Sequence, residues 1–312
     1  MENYLKFRPA LPSTINLHFI RPCNGRCNYC FAGFEDLTSH RLNTNELSKI
    51  IQKIAQAPLA NGIKTPRRKI NFVGGEPTLA PDLPILVQTA KKEGLVTSIV
   101  TNGYNLLHTG VNAYAETLDM LGVSIDSLNP KINRRIGRVF SGNTISETEW
   151  IHLFDQARQL GIELKINTVV NRQNVDENMS AFIQRVLPQR WKIFQVLPVN
   201  NSVFSREWKN ICVSVEEFQN YIQRHQTVSS SGVKLIAEDN TLMSGSYAMI
   251  SPDGRFFDTT TGTHLYSDPI LKIGLEEAFS QIHFSIEKFR KRGGEYNLKE
   301  KSLINFRKAK SL

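Results

Sequence analysis

Apolar positions along the first two thirds of the chain follow two alternating patterns, one typical of strands and one of helices. The stretch INLHFI at residues 15–20 alternates in polarity and predicts a strand. After it, Asn43 and Glu46 have the spacing of a helix capping box. The apolar residues that follow recur at helical spacing, at Leu47, Ile50, Ile51 and Ile54. Further strands are predicted at KINFV (69–73), TSIVTNG, LGVSIDS, IELKINTVV (162–170) and WKIFQVLP (191–198), and further helices at residues 83–93, 150–160 and MSAFIQRVL.

Six predicted strands that alternate with helices indicate parallel βαβ units, in either a doubly wound sheet or a whole or partial barrel. From about residue 205 the alternation fades. A helix at 214–226 precedes a hairpin around Pro252, Asp253 and Gly254, and a helical, basic tail follows. We therefore predict an α/β protein with a catalytic barrel at residues 1–204 and an extension at 205–312 that packs on it.

Composition places the chain among ordinary globular proteins, with 40% hydrophobic and 21% charged residues in 312. No apolar run approaches the roughly 20 residues of a membrane span, and the first residues lack the apolar core of a signal peptide. We expect a soluble, cytoplasmic protein. The net charge of +9 suits either a solubilising surface or a polyanionic partner, and the positions of the basic residues must decide between them.

Three of the four cysteines, Cys23, Cys27 and Cys30, have the spacing CxxxCxxC directly after the first predicted strand. A structural zinc site would need a fourth ligand, for which His18 and His40 are the nearest candidates. A redox pair of Cys27 and Cys30 is a second alternative. Three thiolates also suit a [4Fe–4S] cluster with one iron left open for a small molecule.

The cysteine spacing, with Tyr29 before the last cysteine and Phe31 after it, resembles the signature of radical S-adenosylmethionine enzymes. The GGEPTL segment at 74–79 strengthens the resemblance, because that family uses GGEP to hold the methionine amino group. The resemblance implies a partial (β/α)6 barrel, a [4Fe–4S] cluster and reductive cleavage of S-adenosylmethionine to a 5′-deoxyadenosyl radical. Its implied cofactor contacts are Gly74, Gly75, Glu76, Thr101, Asn102, Ser124 and Asp126.

Charged residues inside several predicted strands point to the substrate. Strands of a parallel sheet are covered on both faces, so a charge within one is costly unless it faces a site. Alternation places Lys165 and Asn167 on one face of their strand, and Asn16 with His18 on one face of the first strand. Lys69, Lys165, Arg190 and Lys192 would then share an enclosed lumen, which suits a triphosphate rather than nucleic acid. The alternative is that these charges lie at strand ends and reach solvent.

The segments KINFVGGEP, LKINTVVNRQNV, RWKIFQVL and KRGGEY resemble, in order, those of the viperin family. The resemblance runs from about residue 13 to 298 and implies conversion of a nucleoside triphosphate to its 3′-deoxy-3′,4′-didehydro form, which terminates viral RNA chains. It implies an electron donor of the flavodoxin or ferredoxin type, which no residue pattern identifies. The implied substrate contacts are Lys69, Lys165, Asn167, Arg190, Lys192, His264 and Arg292, with Tyr247 near the ribose as a candidate for the last hydrogen transfer.

Two positions depart from the animal members of that family. Thr259 replaces a cysteine and His264 replaces a lysine, so UTP or GTP competes with CTP as the expected substrate. The chain also lacks the amphipathic N-terminal helix and the C-terminal tryptophan of the animal proteins. It therefore resembles the prokaryotic branch, and an antiphage role follows by analogy.

Two other functions stay open at this point. One is a radical enzyme that modifies a peptide or another small metabolite. The other is a non-catalytic iron–sulfur or zinc protein that binds nucleic acid through its positive charge. The sequence does not identify the base, the reductant or the oligomeric state.

Overall fold

The computed structural model describes residues 10–34, 37–60, 62–65, 67–200 and 208–296. Within these residues, ten strands form one sheet. The strands are β1 Thr14–Ile20, β2 Lys69–Gly74, β3 Val96–Thr101, β4 Met120–Ser124, β5 Glu163–Val170, β6 Arg190–Gln195, β7 Lys234–Glu238, β8 Ala248–Ile250, β9 Arg255–Asp258 and β10 Leu265–Pro269. The helices are α1 Thr44–Gln56, α2 Leu83–Lys92, α3 Tyr104–Thr109, α4 Pro130–Arg135, α5 Glu147–Gln159, α6 Ser180–Val186, α7 Trp208–Ile211, α8 Val215–Arg224, α9 Asn240–Met243, α10 Ile270–Ile273, α11 Leu275–Ser280 and α12 Ile286–Lys291.

The first six strands are neighbours in chain order and run parallel, which confirms the predicted α/β barrel order. The sheet order is β10-β9-β8-β1-β2-β3-β4-β5-β6-β7. Helices connect these parallel strands, as a crossover requires. The carboxyl ends of β1 to β6 therefore lie at one edge of the sheet, where ligands of such folds bind.

The C-terminal part of the chain extends this sheet at both sides. Strand β7 pairs parallel with β6, and β8 pairs parallel with β1. The hairpin of β8 and β9 was predicted, whereas β7 and β10 were not, because each is five residues long and weakly alternating. The proposed boundary after residue 204 falls outside the described residues, so the division into barrel and extension stays a proposal.

Local sequence signals explain the helix that connects β1 and β2. Asn43 caps α1 by accepting a hydrogen bond from the Glu46 amide, and Glu46 returns one to the Asn43 amide, as predicted. The apolar stripe of α1 is fully buried, and each of its side chains contributes about 1.5–3 kcal/mol. Among the described residues, none of the helices has the length and apolar character needed to cross a bilayer.

Candidate active site

A cavity of about 310 Å³ opens at the carboxyl edge of the parallel strands and runs along their inner face. Its size is that of a small-molecule site. At one end it is lined by Cys23, Cys27 and Cys30, and at the other by Lys165, Lys192 and Arg292. The predicted metal ligands and three of the predicted phosphate ligands thus share one cavity.

The three thiols lie on the loop after β1, and none of them forms a disulfide. The Gly25 amide donates a hydrogen bond of 3.3 Å to Cys23 Sγ. Burial, followed by the charge of Cys27, raises the pKa of Cys30 to about 12. Thiolates in this loop therefore need a positive group beside them, which a bound iron–sulfur cluster supplies. Three unbridged thiols on one loop, facing a cavity, fit a cluster with one open iron.

Segment 136–138 holds the cysteine loop in place. The Arg26 amide donates to the Gly137 carbonyl at 3.2 Å, and the Asn28 amide donates to the Ile136 carbonyl at 3.1 Å. Gly137 has φ +78°, and a Cβ there would lie 2.0 Å from the Arg26 carbonyl oxygen. Only glycine therefore permits this close approach.

Asp126 has a different position from the one that the sequence indicated. It is 1% exposed and does not line the cavity. Its carboxylate accepts hydrogen bonds from the Tyr29 hydroxyl, from Arg138 Nε and, at 2.7 Å, from the Val169 amide. Because Tyr29 belongs to the cysteine loop, Asp126 supports that loop from behind and is not placed as a cofactor contact.

The GGE segment after β2 packs tightly against the start of the cysteine loop. A Cβ on Gly74 would lie 2.4 Å from the Ile20 carbonyl oxygen, and one on Gly75 would lie 2.2 Å from that of Arg21. The Gly75 amide donates to the Ile20 carbonyl at 2.7 Å. Both glycines line the cavity, as the resemblance implied, and the nearest atoms that exclude a side chain at each are backbone carbonyl oxygens.

Glu76 lines the cavity, but its carboxylate already accepts several hydrogen bonds from the protein. Its carboxylate accepts hydrogen bonds from the Thr78 amide and hydroxyl at 3.0 and 2.6 Å, the Thr101 hydroxyl at 2.6 Å and the Asn102 amide at 2.7 Å. Burial nevertheless raises its pKa. Thr101, Asn102 and Ser124 also line the cavity, as predicted for strands β3 and β4.

Five cations are buried together at the other end of the cavity, and none is more than 8% exposed. Lys165 pairs in register with Arg190, and Asn167 with Lys192, so like charges lie on adjacent strands. Such pairs are destabilising unless an anion lies between them. Burial lowers the pKa of Lys165, and nearby Lys192 lowers it further. The alternative that the strand charges reach solvent is thus wrong for Lys69, Lys165, Arg190 and Lys192, and Arg292 is buried as well.

Two of these cations lie behind an aromatic ring and do not line the cavity. Lys69 Nζ lies 3.1 Å from the centre of the Tyr296 ring, and Arg190 Cζ lies 3.8 Å from it. Arg190 also donates to the carbonyls of Gly293 and Glu295 at 2.8 and 2.9 Å. Lys69 Nζ has no hydrogen-bond partner within the described part of the chain.

Among the described residues, one carboxylate forms hydrogen bonds within this group of cations, that of Glu238 at the end of β7. It accepts hydrogen bonds from Lys192 Nζ and, at 2.5 Å, from the Tyr247 hydroxyl. Arg292 Nη1 lies 4.0 Å from Glu238, and its guanidinium carbon lies 3.6 Å from the centre of the Tyr247 ring. Burial raises the pKa of Glu238, but Lys192 and Arg292 outweigh it and hold the pKa below its usual value. Arg292 is fixed further by donating to the Ser246 carbonyl at 2.9 and 3.0 Å.

Neutral polar side chains line the middle of the cavity, between the thiols and the cations. Asn71 Nδ2 donates to Asn16 Oδ1 at 2.6 Å, while Asn71 Oδ1, Asn167 Oδ1 and His18 Nδ1 have no partner among the described residues. Burial lowers the pKa of His18 to about 3, so its ring is neutral near pH 7. Unsatisfied buried groups of this kind favour a polar, uncharged ligand portion such as a ribose.

His264 also differs from its sequence-based placement. Thr259 lines the cavity, but His264 does not. Its ring packs against Phe34 and Phe257 at centroid distances of 5.6 and 5.3 Å, and Nδ1 lies 3.0 Å from the Tyr266 hydroxyl. Through these contacts with aromatic side chains, His264 supports the cavity wall. The structure therefore does not place His264 with the cations proposed to bind phosphate.

Sequence reasoning missed Glu238 and Tyr296. Glu238 follows the apolar run LIA, and an acidic residue at the end of such a strand was an available signal. Tyr296 closes the KRGGEY segment, but only contact with Lys69 and Arg190 across the fold reveals its place.

Comparisons with known proteins identify the family of this chain. Residues 17–186 match the model of the radical SAM superfamily. A protein of Lacinutrix mariniflava named S-adenosylmethionine-dependent nucleotide dehydratase is 39% identical over 95% of this chain, which spans 61% of that protein. A protein of the same name from Flammeovirga pacifica is 37% identical over 96% of this chain and all of its own length. The dehydratase RSAD2 of Oncorhynchus mykiss is 34% identical over 95% of this chain and 83% of its own.

Solved structures share the fold at low sequence identity. Streptococcus suis SuiB bound to precursor peptide SuiA matches 95% of this chain and 69% of its own, with a TM-score of 0.66 and 15% identity. Native anSMEcpe with bound AdoMet matches 89% of this chain and 82% of its own, with a TM-score of 0.63 and 15% identity. The family model and the sequence relatives show that the chain belongs to the radical SAM superfamily and, within it, to the viperin-like family of proteins named S-adenosylmethionine-dependent nucleotide dehydratases.

Proposed function

We propose that this chain is a radical nucleotide dehydratase that converts a nucleoside triphosphate to its 3′-deoxy-3′,4′-didehydro form. The observation that carries the proposal is the buried group of five cations, three of which line the end of the cavity away from the three thiols. A triphosphate supplies the compact negative charge that this group lacks. The names of the relatives support a nucleotide substrate, and a role in antiviral defence follows by family analogy.

The superfamily uses a [4Fe–4S] cluster and S-adenosylmethionine, and the cofactor prediction is confirmed at this level. Cys23, Cys27 and Cys30 would hold the cluster, with segment 136–138 fixing their loop. When bound, the cluster supplies the electron that cleaves S-adenosylmethionine to a 5′-deoxyadenosyl radical.

The dimensions of β2 suit a nucleotide that spans the two ends of the cavity. Lys69 and Gly75 are six residues apart, roughly 20 Å along an extended strand. The cations would fix the triphosphate, and the polar middle formed by Asn16, Asn71 and Asn167 would hold the ribose. This arrangement orients C4′ toward the cysteine end, where the hydrogen atom is removed.

The second half of the reaction removes the 3′-hydroxyl. That hydroxyl takes up one proton and leaves as water, and one electron completes the C3′–C4′ double bond. Tyr247 is the proposed source of this hydrogen equivalent, because the residue lines the cavity and its hydroxyl is oriented by Glu238. An external one-electron donor must then restore the tyrosine. Thr259, which lines the cavity, is the proposed contact that shifts preference away from CTP.

Product analysis tests the proposal. The anaerobically reconstituted protein is supplied with CTP, UTP, GTP or ATP separately, and the products are identified by mass. We expect one triphosphate to yield 5′-deoxyadenosine together with a nucleotide lighter by one water, and Cys27→Ala to abolish both. Formation of 5′-deoxyadenosine at the same rate with and without every nucleotide, and with no dehydrated product, would overturn it.

A further inference from the structure

The outer surface of helix α4 carries a concentrated positive charge. Lys131, Arg134 and Arg135 are all exposed, and their spacing of three and four residues places them on one face of the helix. Across residues 127–146 the sequence has four basic residues and no acidic one. We call the surface formed by Arg26, Lys131, Arg134 and Arg135 the α4 basic face.

The opposite side of α4 packs directly on the cysteine loop. Ile132 and Ile136 share a small apolar cluster with Cys27 and Tyr29. Asn28 Nδ2 also donates to the Arg135 carbonyl at 3.3 Å. The α4 basic face is therefore separated from the thiols by little more than the width of one short helix.

Arg26 joins this charge to the loop itself. Its Nη1 donates to the carbonyls of Cys23 and Gly25 at 2.7 and 3.0 Å, while the side chain stays exposed. Within the described residues, none of the four cations of the face forms an ion pair. Asp126, the nearest acid in sequence, is buried and paired with Arg138. The face thus presents uncompensated positive charge beside the proposed cluster.

We propose that the α4 basic face is the docking surface for an acidic one-electron carrier protein of the flavodoxin or ferredoxin type. The inference rests on the proposed function, which requires electrons from outside the chain. Electron transfer weakens steeply with distance, so the carrier must reach the surface closest to the cysteine loop. Complementary charge would steer a small, weak and rapidly reversed encounter, which is typical of redox pairs.

Nucleic acid is the competing anionic partner for such a surface. Four clustered cations form a small patch and not the extended basic stripe that nucleic acid binding needs. Because the patch adjoins the cysteine loop, the observations favour a redox protein.

Binding and turnover measurements separate these possibilities. Binding of a recombinant acidic flavodoxin to the reconstituted protein is measured at low and high salt, for wild type and for the combined Lys131→Glu, Arg134→Glu, Arg135→Glu variant. Arg26 is left unchanged because it contacts the cysteine loop. The control variant, Lys49→Glu, Lys53→Glu, Lys92→Glu, reverses three exposed lysines on α1 and α2. We expect the α4 variant to weaken binding at least about tenfold at low salt, with little change in the control.

A second measurement compares 5′-deoxyadenosine formation driven by flavodoxin with formation driven by dithionite. The α4 variant should slow only the flavodoxin-driven reaction. Equal flavodoxin binding by both variants would overturn the docking proposal. It would also be overturned if the α4 variant lost affinity for a single-stranded RNA oligonucleotide but kept its affinity for flavodoxin. Flavodoxin binding that depends on α4, without any dehydrated nucleotide, would refute the proposed function and leave the docking surface supported.

Discussion

Replacing Glu238 by glutamine should reveal how much the buried group of five cations depends on one carboxylate. The substitution keeps the shape of the side chain and removes its charge. Glu238 is fully buried, is bonded to Lys192 and lies 4.0 Å from Arg292 Nη1. One pair at that distance is worth about 4 kcal/mol at an effective dielectric constant of about 20.

The net effect on folding is smaller than the sum of such pairs, because the variant no longer buries a charged carboxylate. Removing one partner of a buried ion pair costs about 3–5 kcal/mol. We expect Glu238→Gln to lower the free energy of unfolding by that amount in the absence of nucleotide. A saturating triphosphate should stabilise the variant more than wild type, because the site has gained net positive charge.

The pH dependence gives this prediction a sign. The pKa of Glu238 is held below its usual value in the folded state. Its stabilising contribution is therefore complete above the unfolded-state pKa of about 4.3 and is lost as the pH falls toward the folded-state pKa. Wild type should thus lose its stability advantage over Glu238→Gln under acidic conditions.

Chemical denaturation of both proteins at neutral and acidic pH, with and without nucleotide, measures these differences. Glu116→Gln is the matched control, because Glu116 is an exposed carboxylate. If Glu238→Gln unfolds at the same denaturant concentration as Glu116→Gln at neutral pH, the carboxylate does not hold the cations together and the electrostatic account is incorrect.

Three further substitutions test other parts of the site. Lys165→Met should weaken nucleotide binding roughly 10- to 100-fold, since a hydrogen bond to a charged group contributes about 1.5–3 kcal/mol. Its iron content should equal that of wild type, and the exposed control Lys272→Met should bind nucleotide as wild type does. Gly75→Ala should reduce iron bound per chain and lower stability by about 1–3 kcal/mol, because its Cβ would lie 2.2 Å from the Arg21 carbonyl oxygen; normal iron content would contradict this. Tyr247→Phe should retain nucleotide affinity and form 5′-deoxyadenosine with much less dehydrated product, whereas wild-type product yield would exclude the tyrosine as hydrogen source.

The features predictable from sequence were those that depend on strand period. Alternation correctly placed Lys165 and Asn167 toward the cavity, together with Asn16 and His18. The same rule holds for every strand of a parallel sheet, because side chains on one face share one environment. The helix capped by Asn43 could also be predicted from the sequence, since a capping box depends only on neighbours in the chain.

Contacts between distant segments were not predictable in this way. The position of Asp126 near a strand end suggested a contact with the cofactor, yet its carboxylate already accepts hydrogen bonds from Tyr29 and Arg138. The sequence shows that residue 75 is a glycine, but the reason for it is the close approach of the Arg21 carbonyl, which depends on how two loops meet. Residue type indicates what a group can bind, and only the fold decides whether that capacity is already used.

That distinction explains how the chain can keep five buried cations before any substrate arrives. Arg190 and Arg292 donate to backbone carbonyls, Lys192 pairs with Glu238, and the Tyr296 ring covers Lys69. The carbonyls and the ring face are weaker partners for a cation than a phosphate would be, because they carry only partial charges. Of the two lysines in this group without a hydrogen-bond acceptor among the described residues, Lys69 is covered by the Tyr296 ring, whereas Lys165 lines the cavity. A site arranged in this way is stable when empty and still gains electrostatic energy when a polyanion binds.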